Sequence, residues 1–251
     1  MLNKKVLSAA ITAALMAGAA QAQERDDVDS AASSDGFEIS GNVALTSDYR
    51  FRGISQSDKN PAIQGGFDIE FSPGFYFGTW GSSVDFDNSV DYDGSLELDY
   101  YGGWSSAIGD TDFGIDVGYI WYDYPGDSGD EGDYGEVYVA GSWKDLSVGV
   151  NYSDDYYGGT GKFWYYAADY SFSLFENFSV GLHVGYNDFD KADEFLSNNQ
   201  DSYTDWSVSL GYSWAGVDFS VAYVDTDLDD EDVYDTNWAD STAVFTISKS
   251  M

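Results

Sequence analysis

From Phe37 to the C-terminus the chain alternates. Apolar or aromatic residues take every second position and small or polar ones lie between, in runs of about ten residues broken by turns or loops. In the first run Phe37, Ile39, Gly41, Val43 and Leu45 oppose Glu38, Ser40, Asn42 and Thr46. In the second, Ile63, Phe67, Ile69 and Phe71 oppose Gln64, Asp68 and Glu70. The third is less regular and sets Tyr76, Trp80, Val84 and Phe86 against Thr79, Ser83 and Asp85. The fourth sets Leu96, Leu98, Tyr100 and Trp104 against Glu97, Asp99 and Tyr101, and the fifth sets Phe113 to Trp121 in steps of two against Gly114, Asp116 and Gly118. Seven further runs follow, the last with Ala243, Phe245 and Ile247 opposite Thr246 and Ser248. A period of two means strands with two unlike faces, and no Asp, Glu, Lys or Arg interrupts the middle of the twelve apolar phases.

The connections separate two architectures that share this pattern. Tight turns at Ser72-Pro73-Gly74, Lys144-Asp145 and Ala215-Gly216, and short joins at 105–112 and 173–177, alternate with six longer acidic segments at 54–61, 87–93, 123–133, 154–161, 188–201 and 225–238. A Greek-key sandwich has no reason to alternate short and long connections. An up-and-down barrel spanning a bilayer does, with turns at one end and loops at the other. The expectation is an all-β fold, a 12-stranded antiparallel up-and-down transmembrane β-barrel over residues 37–251. The rival is a secreted soluble sandwich or barrel, and the two differ in where the apolar side chains point. Strands of about 9–11 residues suit a tilted crossing of the hydrocarbon layer. Rings fall at both ends: Trp104, Trp143, Phe172, Phe178 and Trp214 on the turn side, Trp121, Tyr152, Trp164, Tyr186 and Tyr223 on the loop side. Two aromatic girdles at two interfaces are expected.

The first 22 residues belong to neither face. Lys4 and Lys5 precede an apolar stretch from Val6 to Ala20, and Ala20-Gln21-Ala22 reads as a cleavage site, so 1–22 is expected to be a secretory signal peptide. Residues 23–36 are expected to form a flexible acidic lead-in. The exported product is expected in the outer membrane of a Gram-negative bacterium, in contact with its lipids.

Composition narrows the chemistry. The 251 residues carry 10 Lys+Arg against 45 Asp+Glu, a net charge of -35, which argues against nucleic acid as a partner. There is no Cys and one His, so thiolate sites, Cys nucleophiles and multi-His zinc sites are excluded. No cofactor is expected. Aromatic residues make up 18% of the chain, which sets it apart from a disordered acidic polymer.

An ordered set of motifs adds a likeness. Residues 47–53 read SDYRFRG, Ser55-Gln56 and Pro61-Ala62 with Gln64-Gly65 follow, then GFYFGTW at 74–80, ELDYYGG at 97–103, and Tyr124-Pro125 with Glu136 beyond it. This set resembles the TorF-type porin family of proteobacteria, conserved outer-membrane proteins of unknown function, most densely over 41–136. The resemblance implies an outer-membrane location and a porin role, and implies no substrate. Many outer-membrane barrels end on an aromatic residue; this chain ends Lys249-Ser250-Met251, with Met keeping the outward phase.

The inward phase supplies the candidate site. Asp68, Glu70, Glu97, Asp99, Asp116 and Glu136 are expected to line the pore, with Tyr101, Tyr138, Tyr165 and Tyr203 narrowing it. Carboxylates facing a wet lumen select cations, so passive diffusion of small polar or cationic solutes is the expected function. The competing expectation is a closed or plugged barrel acting as a surface anchor, receptor or divalent-cation binder. Arg50 and Arg52 share a face at the loop-side end of the first strand. They either oppose Glu97 and Asp99 across a constriction or pair with lumen acids and hold loop 54–61. The loops 123–133 and 225–235 concentrate acids, and Asp227, Asp229, Asp230 and Glu231 offer carboxylate oxygens to Ca²⁺ or Mg²⁺, although the spacing of an EF-hand is absent. A hydrolase would have to use His183, which lies mid-strand in the inward phase and reads more simply as a hydrogen-bonded wall residue. Oligomeric state is not encoded in any of these features.

Overall fold

The computed structural model describes residues 36–86, 94–126 and 132–251. The expected signal peptide, residues 23–35 of the lead-in, the acidic segment 87–93 and residues 127–131 of the loop 123–133 lie outside the described residues.

Twelve strands close into one barrel, in the order β1 (Phe37–Thr46), β4 (Ala62–Phe71), β5 (Phe75–Ser83), β6 (Leu96–Ala107), β7 (Phe113–Asp123), β8 (Tyr134–Trp143), β9 (Leu146–Ser153), β10 (Phe163–Phe175), β11 (Phe178–Phe189), β12 (Ser202–Trp214), β13 (Val217–Thr226) and β14 (Thr242–Ser250), which returns to β1. Each barrel strand pairs antiparallel with the next in sequence. The seam joins the ends of the sheet, with Thr46 opposite Thr246 and Asn42 opposite Ser250. Met251 N donates to Gly41 O at 2.8 Å and Gly41 N donates to Met251 O at 3.1 Å, so the last residue completes the ladder. Closure matters physically because a bilayer offers no partner to an unpaired backbone group.

The apolar phase faces outward. Phe67 is 65% exposed and Ile39 61%, and Leu45, Ile63, Val139, Val148, Leu182, Val208 and Phe245 are exposed with them. The soluble rival needed these residues packed against one another. Ring pairs lie on the outer surface near both ends: Phe113 against Trp143 (6.1 Å) and Phe178 against Tyr212 (4.7 Å) on the turn side, Tyr152 against Trp164 (4.5 Å) and Trp206 against Tyr223 (5.4 Å) on the loop side.

The third run has the opposite phase from the one expected. Phe75 and Phe77 face out, and Tyr76, Val84 and Phe86 are buried inside. Rings at 75, 76 and 77 leave the alternation ambiguous, and the polar handle decides it: the Tyr76 hydroxyl donates to Asp116 Oδ1 at 2.6 Å on the inner face, over the intervening strand β6. Trp80 also points inward, edge-on to Tyr49 at 5.5 Å.

A second departure lies after β1. The strand ends at Thr46, and Arg50 is not part of it. Residues Arg50–Phe51 (β2) pair with Ile54–Ser55 (β3) in a separate two-stranded hairpin. Its turn uses positive φ at Arg52 (49°) and Gly53 (83°), the primed geometry that suits a two-residue hairpin. A Cβ on Gly53 would run into Thr226 Cγ2 on the barrel wall, so the glycine serves both the turn and the close approach.

Candidate functional site

The hairpin folds into the barrel. Tyr49, Arg50, Phe51, Arg52 and Ile54 are all buried, although no barrel strand contains them. They occupy the loop-side half of the lumen and join one core with Val84, Phe86, Tyr122, Tyr124, Tyr134, Tyr156, Phe163, Phe189, Leu196, Tyr203 and Val233. Rings run through it in contact: Phe51 to Tyr122 (5.7 Å), Tyr122 to Tyr134 (4.5 Å), Tyr134 to Tyr156 (4.6 Å), Tyr156 to Phe163 (4.1 Å) and Phe163 to Phe189 (4.8 Å). Val84 and Phe86 after β5, and the loops at 154–162, 190–201 and 227–241, therefore contribute side chains to an interior seal.

Two arginines anchor the hairpin. Arg52 donates from Nη1 to Glu136 Oε1 and from Nη2 to Glu136 Oε2, both at 2.8 Å, a two-pronged pair with Glu136 fully buried. Asn151 Nδ2 donates a third bond to Glu136 Oε2 at 2.9 Å. The guanidinium stacks over Tyr165 (4.3 Å), Phe51 (4.5 Å) and Phe163 (4.8 Å). Burial alone would lower the Arg52 pKa, but the Glu136 carboxylate outweighs it and raises the pKa above its ordinary value. The Tyr203 hydroxyl donates to Arg52 O at 3.0 Å. Arg50 donates from Nε to Asp48 Oδ2 at 2.7 Å, and from Nη1 to the carbonyls of Gly53 (2.9 Å), Trp238 (2.6 Å) and Asp240 (3.1 Å). Of the expected pore residues, Arg52 is thus brought to Glu136 on the wall, and Arg50 to the hairpin itself and the loop 227–241.

Glu97 and Asp99 sit side by side on the inward face of β6 and are both buried. The Tyr49 hydroxyl donates to Glu97 Oε1 at 2.8 Å, so the hairpin also touches this pair. Burial, then the charges of Glu97 and Asp99, push the Tyr49 hydroxyl well above its ordinary pKa.

Toward the turns four inward acids are accessible to water. Asp68 and Glu70 on β4 and Asp169 on β10 are half-buried, and Glu38 on β1 is exposed. Tyr101 donates to Asp68 Oδ1 at 2.5 Å, and Tyr76 meets both Asp116 and the Tyr138 hydroxyl. His183 Nδ1 lies 2.7 Å from Asp169 Oδ1, and its Nε2 lies 2.9 Å from both Asp205 Oδ1 and the Tyr165 hydroxyl. At the same end Asp116 on β7 and Asp218 on β13 are buried, as are Tyr76 and Tyr138, so the accessible acids are those of β1, β4 and β10, while the loop-side half is filled.

Of the expected metal candidates, Asp227 and Asp229 are engaged locally, and Asp230 and Glu231 are exposed. Asp227 Oδ1 accepts from Thr204 N at 2.7 Å, and Asp229 caps the short 3-10 turn at 230–233, where its N donates to Asp232 Oδ2 at 3.0 Å. Among the described residues, no three His, Cys, Asp or Glu side chains converge as a metal centre. The hairpin was the functional element that pattern reading missed. Its signal was present as Arg52-Gly53, a turn dipeptide between the short runs Arg50-Phe51 and Ile54-Ser55.

No curated protein matches the chain. Among solved structures, it resembles a NanC porin at 13% identity and TM-score 0.53, covering 84% of this chain and 98% of that one. It also resembles a KdgM porin in complex with disordered oligogalacturonate at 11% identity and TM-score 0.51, covering 84% of this chain and 96% of that one. At such identities the likeness is one of fold, that of a closed barrel. A family profile described as "Bacterial protein of unknown function" matches residues 30–251, and the chain belongs to that family, Gcw_chp.

Proposed function

We propose that the protein is a channel of the Gram-negative outer membrane for passive diffusion of small polar or cationic solutes. In this reading residues 1–22 direct export, and the apolar outer face inserts among lipids. The TorF-type likeness of 41–136 points the same way. One observation carries the reading: a closed barrel with an apolar exterior holds accessible carboxylates, Glu38, Asp68, Glu70 and Asp169, on the inner face of its turn-side half. A carboxylate is costly away from water, and a hydrated lumen lowers that cost. Acidic walls favour cations and disfavour acidic saccharides such as the oligogalacturonate recorded with the KdgM porin.

A second reading, a closed barrel serving as a surface anchor or receptor, draws on the aromatic core that fills the loop-side half. A hydrolase has less support. Both His183 ring nitrogens face carboxylates, and Nε2 meets a tyrosine as well, so neither is left to activate a serine.

The test is single-channel recording in planar bilayers, with the full chain and with a variant in which 48–57 is replaced by a short Gly-Ser linker. The channel reading expects discrete steps in at least one of the two proteins. Silence of both, with each shown to be a folded barrel by heat-modifiable electrophoretic mobility, overturns it in favour of the anchor.

A further inference from the structure

We infer that the hairpin of residues 47–57 is a gate, closed in this conformation and latched to the barrel wall by Arg52 and Glu136. The inference rests on the channel reading and adds how passage is controlled.

The hairpin is built to be separable. Its strands pair with each other, Arg50 with Ser55 and Phe51 with Ile54, and its backbone is otherwise tied at Ser47 to Phe245, at Ser55 to Trp238 and at Gln56 to Asp85, with the twelve-strand ladder closed without it. Twelve barrel strands remain continuously paired if it leaves. It joins β4 through Asp58 and Lys59, two non-glycine residues with positive φ (47° and 60°), which turn the chain sharply between the hairpin and the wall.

Its contact with the wall has a polar part that water can replace and an apolar part, Tyr49, Phe51 and Ile54, that belongs to the aromatic core. Arg52 holds Glu136, Tyr49 holds Glu97, and Tyr203 holds Arg52 O. This contact is also imperfect. Arg50 Nη2, Arg52 Nε, Glu97 Oε2 and Asp99 Oδ1 are buried without a hydrogen-bond partner. Each such atom regains hydration when the hairpin swings out, which offsets part of the loss of the ion pair. Phe51 and Ile54 pull the other way, since withdrawal would wet them. The polar anchors and the apolar part thus act in opposite directions, the condition under which two positions of one element can lie within reach of each other.

Withdrawal would expose Glu97, Asp99 and Glu136 to the lumen, extending the accessible acids of β1, β4 and β10 toward the loop side. The open state is thereby expected to be cation-preferring, and the closed state non-conducting.

The chain has no cysteine, so one engineered pair reports without background. Ser57 and Asp85 face each other in an isolated β-bridge at the root of the hairpin, within the reach of a disulfide. The Ser57→Cys/Asp85→Cys protein is recorded in planar bilayers when oxidised and again after reduction. The gate expects the oxidised form to lose at least tenfold in open probability and reduction to restore it. Equal open probability in the two forms overturns the gate while leaving the channel reading intact. Glu136→Gln gives a second readout that needs no cross-link. It is expected to raise open probability severalfold at unchanged open-state conductance, and an unchanged open probability contradicts the latch. If every form is silent and the linker variant of 48–57 conducts, the hairpin is a fixed plug and the gate is wrong. If that variant is silent too, the channel reading itself fails.

Discussion

Arg52 and Glu136, 84 residues apart, meet in a two-pronged ion pair inside the barrel, with both N–O distances at 2.8 Å. One lies at a hairpin turn that belongs to no barrel strand, the other on the inward face of β8. The pair fixes where the segment after β1 goes, and so decides whether the loop-side lumen is filled or empty.

Removing one partner leaves the other as an uncompensated buried charge, a loss of about 3–5 kcal/mol at most sites. Here the hairpin can escape to water first, so the loss is capped by the free energy of its release. Glu136→Gln is therefore expected to expose the Arg50 and Arg52 peptide bonds before the barrel unfolds. Limited trypsin digestion in detergent micelles checks this. Cleavage at 50 and 52 should accelerate at least tenfold, with β4 to β14 staying intact. The double substitution Arg52→Met/Glu136→Leu, which keeps volume without charge, should restore protection.

Gly53→Ala probes the same contact by shape. A Cβ there meets Thr226 on the wall, and positive φ disfavours any L side chain. The expected result is faster cleavage at Arg50 and Arg52 with the Arg52 and Glu136 side chains both present. Wild-type protection would show that the hairpin is held without the close approach.

The outward face makes a prediction about lipid. Val139 is exposed on β8, and a charge at the bilayer midplane costs about 2–4 kcal/mol in a membrane barrel. Val139→Arg should slow folding into phospholipid vesicles and lower stability by that order. Ser147→Arg, on the inward face of β9, should be tolerated. Equal behaviour of the two variants, read by urea unfolding followed through tryptophan emission, would contradict the assignment of the faces.

Alkaline titration tests the seal. Burial pushes the Tyr156 hydroxyl up to about 12, and Tyr49 and Tyr124 are raised as well, burial again being the first cause. A tyrosine in an unfolded chain ionises near ~10. Because the folded values are raised, the contribution to stability is complete below about pH 10. It is then lost as pH climbs toward the folded value for Tyr156. Phenolate absorbance should show a late-titrating class of tyrosines, and stability should fall over the same window. Ionisation of every tyrosine together near the ordinary value would mean that the loop-side core is open to water.

The barrel was legible in the sequence because a period of two, read against short and long connections, has few solutions. Eleven of the twelve runs needed no help, since Ile39 beside Glu38 or Val139 beside Tyr138 states its own phase. The run at 75–77 carries three consecutive rings, and its phase was set by a tertiary hydrogen bond from Tyr76 to Asp116 that no local pattern contains. Arg50 and Arg52 kept the spacing of a strand while Gly53 marked a turn. Continuing the strand was the local reading, and the hairpin depends on Glu136, whose position across the lumen only the closed barrel defines. For Glu97 and Asp99 the inward face was readable, and their burial under Tyr49 was not, because the covering residue arrives from a loop.

The most direct test of the account is the reversal potential of the open channel under a KCl gradient, measured on the full chain and on the Asp68→Asn/Glu70→Gln variant. A path walled by carboxylates should give a potential on the potassium side, and the variant should move it toward zero without abolishing conductance. A potential at zero or on the chloride side would contradict the claim that the accessible acids line the route of passage.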